Sequence, residues 1–380
     1  MRPFVPALLA LLAACVPAAA QGLQLTGTQR WVVVASRQNI DEAIGVARTY
    51  EGAKVVRSVN GWYGIVTGPR AVASEAAVKK ALIGNEQYPK DIVFSKGDNY
   101  IAIVWQQTRA APLASIALEG EPGTKRLEHD GLTVTLTTAK TKDGEHVPKA
   151  VGMIGGRTVF TVLLEEAASE APRASVELHR LDAASPQPTV VVTGYSGGAH
   201  CCTLTAFVSA DAGGTWRTAT GRSLDGGGYA IEDADGDGTL ELTHRDNSFL
   251  YTFSSYAGSV APTRIVRLNG RALADVTREP RYQPYLRQEI AGIEHAAQRY
   301  GMQEPNGYLA GWVAAKALVG EVEPAWAEML RRQDRDPPVK PEKCLVNLPL
   351  DKCPPDKLKA IGFAEALRAH LVANGYPVPK

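Results

Sequence analysis

The sequence has neither an excess of one charge nor a long apolar run. Its 380 residues contain Lys+Arg 41 against Asp+Glu 40, which gives a formal net charge of +1. Because a nucleic-acid interface normally requires a clustered basic excess, the composition predicts no nucleic-acid partner. A membrane-spanning helix needs about 18 or more consecutive apolar residues. No stretch reaches that length, so we expect no transmembrane helix.

Cysteine is also scarce, and the first of the five cysteines lies in an N-terminal export signal. Arg2 precedes an apolar run over residues 4–14, and small residues follow up to Ala20, as in a secretory signal peptide. Cleavage after Ala20 gives a soluble exported protein. The alternative is a bacterial lipobox at residues 12–15, which makes Cys15 the lipidated first residue. Both interpretations place the protein in the periplasm or cell envelope.

The other four cysteines form an even set, which in an exported chain predicts disulfides. Cys344 and Cys353 close a short loop flanked by prolines, and we expect a bridge between them. Cys201 and Cys202 are then left either as a disulfide between adjacent residues or as a pair of thiols.

Residues 29–95 show the pattern β-α-β-β-α-β. Residues 31–35 read as a buried strand, and Asn39 is a candidate N-cap for a helix with apolar residues at helical spacing. The Asn60-Gly61 turn joins two further strands, which predicts an antiparallel hairpin. A second helix over residues 71–83 and a short strand at 91–94 complete the pattern.

The segments WVVVASR (31–37) and NGWYGIVTGP (60–69) resemble a SPOR-type domain. The resemblance implies a ferredoxin-like sheet that binds peptidoglycan glycan strands lacking stem peptides. The candidate ligand-binding residues are Trp62, Tyr63, Arg37 and Asn60. Trp62 and Tyr63 are adjacent on an extended segment and point to opposite faces, so we expect only one of them to reach the ligand. The alternative for the aromatic residues, Trp31 included, is a place in the core.

The rest of the chain is predicted to contain a connector over residues 96–124, an all-β domain over 125–280 and a helical domain over 281–380. The all-β segment has strands every 10–15 residues separated by glycine-rich turns, which is typical of a β-sandwich or a partial propeller. The overall prediction is therefore a multidomain α+β protein. Its C-terminal helical domain is expected to be cross-linked by the Cys344–Cys353 disulfide.

The segment DADGDGTLE (233–241) has the composition of a calcium loop. Asp233, Asp235 and Asp237 alternate with small residues, and Glu241 follows at the ninth position. Ca²⁺ prefers six to eight oxygen ligands, which such a turn can wrap around one ion. An EF-hand requires a carboxylate at position twelve, where this chain has His244. The loop instead resembles those of FG-GAP or VCBS-type propeller repeats. Only one such loop is present in the sequence, so a complete propeller is not predicted.

The segment GYSGG (194–198) fits the Gly-x-Ser-x-Gly pattern of hydrolases, with Ser196 as the candidate nucleophile. A nucleophile elbow leads into a helix, whereas the residues that follow alternate like a strand. We therefore favour a turn without catalysis and keep an envelope serine hydrolase as the alternative.

A second alternative is a soft-metal site at His200, Cys201 and Cys202, although neighbouring side chains on a strand point apart.

Together these patterns predict a non-enzymatic envelope protein. Its SPOR-like module would bind peptidoglycan glycan, and a calcium-stabilised β domain would present a surface to an envelope protein partner.

Overall fold

The computed structural model describes residues 23–84, 88–106, 110–302, 304–338, 340–349 and 352–380. The predicted signal peptide (residues 1–20) and Cys15 lie outside these ranges. The chain divides into two compact units, Met1–Gln107 and Thr108–Lys380. The predicted all-β and helical segments both belong to the second unit. Among the described residues, no helix combines the length and the apolar character required to cross a bilayer.

The first unit is a five-stranded antiparallel sheet with two helices. Its elements are β1 (Gln29–Arg37), α1 (Ile40–Ala47), β2 (Lys54–Ser58), β3 (Tyr63–Ala71), α2 (Glu75–Gly84), β4 (Val93–Ser95) and β5 (Tyr100–Gln106). The strand order is β4-β1-β3-β2-β5. The sequence pattern places β5 in a connector, but this strand pairs with β2, so β2 is not an edge of the sheet.

The N-terminus of α1 is capped as its sequence predicts. The side chain of Asn39 accepts hydrogen bonds from the backbone N–H groups of Asp41 (2.8 Å) and Glu42 (3.1 Å). The two acidic residues also lie in the first turn, where negative charge interacts favourably with the helix dipole. α1 then buries Ile44 and Val46 against one face of the sheet, where they join a shared core.

Residues 31–34 of β1 alternate between the two faces of this sheet, as the period of a strand requires. Val32 and Val34 belong to the core beneath α1, whereas Trp31 packs on the opposite face with Val56 and Val66. The Trp31 indole N–H donates to the carbonyl oxygen of Leu23 at 2.8 Å, and the ring is almost fully buried. Trp31 is therefore a core residue.

Among the described residues, the second unit contains three antiparallel sheets of four or more strands. The outer sheet has the order β10-β9-β8-β7, the middle sheet the order β14-β13-β12-β11-β6 with β15 beside β13, and the inner sheet the order β16-β17-β18-β19. Their strands are β6 (Ala114–Glu119), β7 (Lys125–His129), β8 (Leu132–Lys140), β9 (His146–Ile154), β10 (Arg157–Leu163), β11 (Arg173–His179), β12 (Thr189–Tyr195), β13 (Cys201–Ala210), β14 (Trp216–Thr220), β15 (Leu224–Asp225), β16 (Ala230–Glu232), β17 (Glu241–Arg245), β18 (Thr263–Asn269) and β19 (Ala272–Asp275).

Helices cover the inner sheet on its far side. They are α3 (Gln283–Tyr300), α4 (Pro305–Leu318), α5 (Val322–Arg332) and α6 (Phe363–Ala373), with a small hairpin formed by β20 (Glu342–Cys344) and β21 (Leu358–Ala360). Cys344 and Cys353 form a disulfide, which confirms the predicted bridge. α4 is buried along nearly its whole length and forms the centre of this layer.

Each pair of neighbouring layers in the second unit shares a core. Val134 of the outer sheet packs in one core with Val192 of the middle sheet, and Phe207 of the middle sheet packs in another with Val266 of the inner sheet. Ile265 of the inner sheet packs with the helices. The predicted mixed α+β architecture with a C-terminal helical region is thus confirmed. Within the described ranges, no sheet closes into a barrel or a propeller.

Candidate functional site

A concave site lies on the face of the first unit's sheet that α1 does not cover. Its volume is about 260 Å³, and it is lined by Val33, Ser36, Ser58, Asn60, Trp62, Gly64, Val93, Ser95, Asn99 and Tyr100. None of these ten described residues carries a charge. Two of the candidate residues from the sequence, Asn60 and Trp62, are among them.

The turn before β3 directs Trp62 and Tyr63 to different sides. Trp62 is 41% exposed and lines the concave site, whereas Tyr63 packs against the core beneath α1. Asn60 Oδ1 accepts a hydrogen bond from the backbone N–H of Trp62 at 3.1 Å and so helps to fix the turn. Arg37 pairs with Tyr63 across the strands, and its guanidinium donates to the Ser36 carbonyl at 2.9 Å. The structure therefore brings Asn60 and Trp62 together and leaves Tyr63 and Arg37 outside the lining.

Sequence reasoning missed Tyr100, Ser95 and Asn99, which complete the site. Burial raises the pKa of Tyr100, and a hydrogen bond with the Ser95 side chain opposes this rise. Tyr100 is the first residue of β5, and recognition of that strand as part of the sheet would have been needed to find it. The finished lining combines two aromatic rings with small hydroxyl and amide groups. Such a surface can stack on the apolar face of a neutral ligand and hydrogen-bond to its edge.

The acidic loop of the second unit brings three of its four candidate ligands together. Carboxylate oxygens of Asp233, Asp235 and Asp237 all lie within 4.8 Å of one another. Oxygens that bind one Ca²⁺ at about 2.3–2.6 Å can be separated by no more than about 5 Å, so these three carboxylates fit such an ion. Gly236 and Gly238 adopt positive φ angles of 79° and 85° and allow the tight turn.

Glu241 lies apart from this group. It is fully buried and accepts hydrogen bonds from the backbone N–H of Ala234 (3.0 Å) and from Arg267 (2.9 Å). Arg267 and Arg281 also approach Asp237, at 3.4 Å and 3.7 Å. Hydrogen bonds from Thr239 lower the pKa of Asp237, and the two arginines add to this effect. Glu241 therefore anchors the base of the loop, and a bound cation would compete with the two guanidinium groups.

Ser196 lies in a turn between two strands. Its Oγ accepts a hydrogen bond from the backbone N–H of Cys202 at 2.6 Å, and its own N–H donates to the Cys202 carbonyl at 3.0 Å. The residues after the turn enter β13, as their alternation predicts, and not a helix. Cys201 and Cys202 are joined by a disulfide, so both sulfur atoms of the alternative soft-metal site are already bonded.

His200 takes part in a hydrogen-bonded cluster that no local pattern in the sequence indicates. Its Nδ1 lies 3.0 Å from both carboxylate oxygens of Asp225, and its Nε2 lies 2.8 Å from the hydroxyl of Tyr251. The ring of Tyr256 stacks on the imidazole with a centroid separation of 3.9 Å. These partners are 25 to 56 positions away in the sequence, and β13–β15 pairing brings the first of them into place.

A second concave surface opens along the middle sheet near this cluster. Its volume is about 360 Å³, and it is lined by Ala117, Leu118, Glu119, Arg173, Ala174, Ser175, Thr193, Gly194, Tyr195, Thr203 and Gly227. The Thr203 hydroxyl donates to the carbonyl of Gly226 at 2.6 Å, which ties this surface to the residue after Asp225.

Comparison with known proteins yields relatives without an assigned activity. Residues 286–375 match the family described as the sll0997 C-terminal domain. The chain is 33% identical over 363 residues to the uncharacterized protein y4bJ of Sinorhizobium fredii. That alignment covers 93% of this chain and 57% of the relative. It is also 37% identical over 216 residues to the probable thylakoid lumen protein sll0997 of Synechocystis. That alignment covers 56% of this chain and 63% of the Synechocystis protein. The matched regions thus span somewhat over half the length of both relatives. No solved structure matches the chain.

Proposed function

We propose that the protein is an exported cell-envelope protein that binds peptidoglycan glycan at the concave site of its first unit. The observation that carries this proposal is the lining of that site, where Trp62 and Tyr100 stand among hydroxyl and amide groups. Sugar rings present apolar faces and neutral hydroxyls, which match aromatic stacking and uncharged hydrogen-bonding groups. A glycan without stem peptides also lacks their charges, in keeping with a lining of uncharged residues.

Two further observations support this proposal. The β-α-β-β-α-β order and the strand order β4-β1-β3-β2 agree with the ferredoxin-like sheet that the SPOR resemblance implies. Export is supported by the sequence of residues 1–20, by the Cys344–Cys353 disulfide and by the name of the Synechocystis relative as a probable thylakoid lumen protein.

For the second unit we propose a supporting role in which Ca²⁺ braces the acidic loop. The three clustered carboxylates of Asp233, Asp235 and Asp237 would supply oxygen ligands, and the ion would take over part of the charge neutralisation that Arg267 and Arg281 supply to Asp237. The layered β structure would then offer an interaction surface to an envelope protein partner.

Co-sedimentation of the full mature chain with purified sacculi tests glycan binding. We expect more protein to pellet with amidase-treated sacculi than with intact ones, because removal of stem peptides exposes the glycan. Trp62→Ala should weaken binding by about tenfold, as expected for loss of one stacking aromatic worth about 1.4 kcal/mol.

Tyr300→Ala is the matched control, because Tyr300 is 62% exposed and lies in the second unit. It should pellet like the unchanged protein. Equal pelleting by the Trp62→Ala protein, or none with either preparation of sacculi, would refute glycan binding at this site.

A further inference from the structure

The cluster around His200 forms a chain of hydrogen bonds that runs from a buried carboxylate to an exposed phenol. The Asp225 side chain is 9% exposed and the His200 side chain is 32% exposed. At the other end of the chain of hydrogen bonds, the whole Tyr251 residue is 54% exposed. An ionised carboxylate can only accept hydrogen bonds, so Nδ1 of His200 carries a proton that it donates to Asp225. In the neutral imidazole, Nε2 is then the acceptor, and the Tyr251 hydroxyl donates to it at 2.8 Å.

A second tyrosine, Tyr256, contacts both His200 and Asp225. The Tyr256 ring is nearly parallel to the imidazole, with an interplanar angle of 13°, and its hydroxyl donates to Asp225 Oδ1 at 3.2 Å. Burial raises the pKa of Tyr256, and the charge of Asp225 raises it further. Tyr256 therefore stays protonated and keeps Asp225 and His200 aligned.

The backbone of Tyr251 has an unusual conformation at this site. Its φ angle is +61°, in the left-handed region that residues other than glycine seldom adopt. The backbone N–H of Tyr251 donates to Ser259 Oγ at 3.1 Å, which helps to hold that conformation. Conformations of this kind cost free energy and are concentrated at functional sites. The strained backbone of Tyr251 therefore suggests a function for its hydroxyl, which lies beside Nε2 of His200.

We propose that Asp225, His200 and Tyr251 form an acid–base relay in which Tyr251 is a nucleophile toward activated acyl esters. The Tyr251 oxygen forms a bond to the carbonyl carbon, and its proton passes to Nε2 of His200. The bond from the carbonyl carbon to the leaving oxygen or sulfur then breaks, and the leaving group takes that proton. Asp225 is a positioning residue that stabilises the positive charge on the imidazole during the transfer.

The leaving-group chemistry defines the class of substrate. A tetrahedral intermediate on Tyr251 collapses forward only when the other group leaves at least as readily as a phenolate, whose conjugate acid has an ordinary pKa of about 10. Aryl esters and thioesters meet this condition, whereas amides and alkyl esters do not. Tyr195 is one of the residues that line the concave surface of the middle sheet, and its phenol interacts electrostatically with Tyr256 of the cluster. An acyl donor bound against Tyr195 would therefore lie near the relay.

The test is acetylation of the full mature chain by p-nitrophenyl acetate, measured by p-nitrophenolate release and by peptide mass mapping. We expect Tyr251 to be acetylated on the order of 10²-fold faster than Tyr300, the rate gain typical of a general base. Tyr300 is the matched control because it is also highly exposed, at 62%. Tyr251→Phe should abolish the fast phase, and His200→Gln should slow Tyr251 to the rate of Tyr300.

Asp225→Asn tests the positioning role with a readout other than rate. The ¹⁵N shifts of His200 should report a proton on Nδ1 in the unchanged protein, and the Asn variant should lose that single tautomer together with the fast phase. Equal rates at Tyr251 and Tyr300, an unchanged fast phase in a folded His200→Gln protein, or acetylation of Ser196 instead of Tyr251 would overturn the proposal. If His200→Gln fails to fold, the comparison of Tyr251 with Tyr300 in the unchanged chain still decides.

Discussion

The guanidinium carbon of Arg264 lies 4.0 Å from the ring centroid of Tyr376, and both side chains bind the same carboxylate oxygen, Oδ2 of Asp246. The two hydrogen-bond distances are 3.1 Å for Arg264 and 2.8 Å for Tyr376. Arg264 also donates to the carbonyl of Asn374 at 2.7 Å. These contacts attach the C-terminal segment to the inner sheet through one buried ionic centre.

Asp246→Ala should destabilise the protein by about 3 kcal/mol, because it leaves the buried Arg264 without its closest counter-charge. Burial by itself raises the pKa of Asp246, but hydrogen bonds from Ser248 and Tyr376 and the charge of Arg264 lower it overall. Urea unfolding measures the loss. Asp275→Ala is the control, because Asp275 binds the same arginine at 3.3 Å but is 53% exposed, so we expect a loss below about 1 kcal/mol. Similar losses in the two variants would contradict the assignment.

The stability of the second unit should fall as the pH is lowered from about 7.5 to about 5, the range over which histidine ordinarily titrates. Burial lowers the pKa of both His244 and His370 below the ordinary histidine value of 6.5. Below that value the unfolded chain binds protons that the folded chain does not, so the free energy of unfolding decreases with decreasing pH. Thermal unfolding across this range measures the slope, which should flatten in the His244→Gln/His370→Gln protein. An unchanged slope in that variant would show that other groups set the pH dependence.

Gly311→Ala should destabilise the helical layer although alanine is the better helix former. A Cβ atom at this position would lie 1.9 Å from the carbonyl oxygen of Val260, which is backbone and cannot easily move. Overpacking of this kind costs about 1–3 kcal/mol, whereas the gain in helix propensity is about 1 kcal/mol at most. Gly84→Ala in α2 is the control, because its Cβ would meet no atom within 4 Å. Differential scanning calorimetry should show a lower melting temperature for Gly311→Ala alone.

Calcium should raise the melting temperature, and a chelator should reverse the effect. At a concentration of about one hundred times Kd, an ion that binds only the folded state stabilises it by about 2.7 kcal/mol. Asp235→Ala should abolish the calcium-dependent shift. Asp211→Ala is the control, because Asp211 accepts the same kind of turn hydrogen bonds from Gly213 and Thr215 in another loop. If calcium causes no shift in the unchanged protein, the proposed calcium-binding role of the loop is refuted.

Local patterns predict the features that depend on neighbouring residues. Asn39 caps α1, the Asn60-Gly61 turn separates β2 from β3, and Cys344 bonds to Cys353 because a separation of nine positions leaves them within reach of each other. The opposite directions of Trp62 and Tyr63 also follow from the geometry of an extended chain.

Features that depend on distant pairing could not be predicted in this way. β5 joins the first sheet through β2, which lies much earlier in the chain, and that contact completes the concave site with Tyr100. The partners of His200 come from separate segments, and no spacing rule connects them. Glu241 fits the calcium pattern by position, yet its two carboxylate oxygens accept hydrogen bonds from Arg267 of β18 and from the backbone of Ala234.

The middle sheet of the second unit is covered on both faces, with Val192 facing the outer sheet and Val191 facing the inner sheet. Each strand at its centre therefore contributes alternate residues to two different cores. Removal of either neighbouring layer would expose one row of these side chains to water. The outer sheet and the helical layer, which do not share a core, consequently depend on each other through the strands between them, and the second unit should unfold as a single cooperative piece.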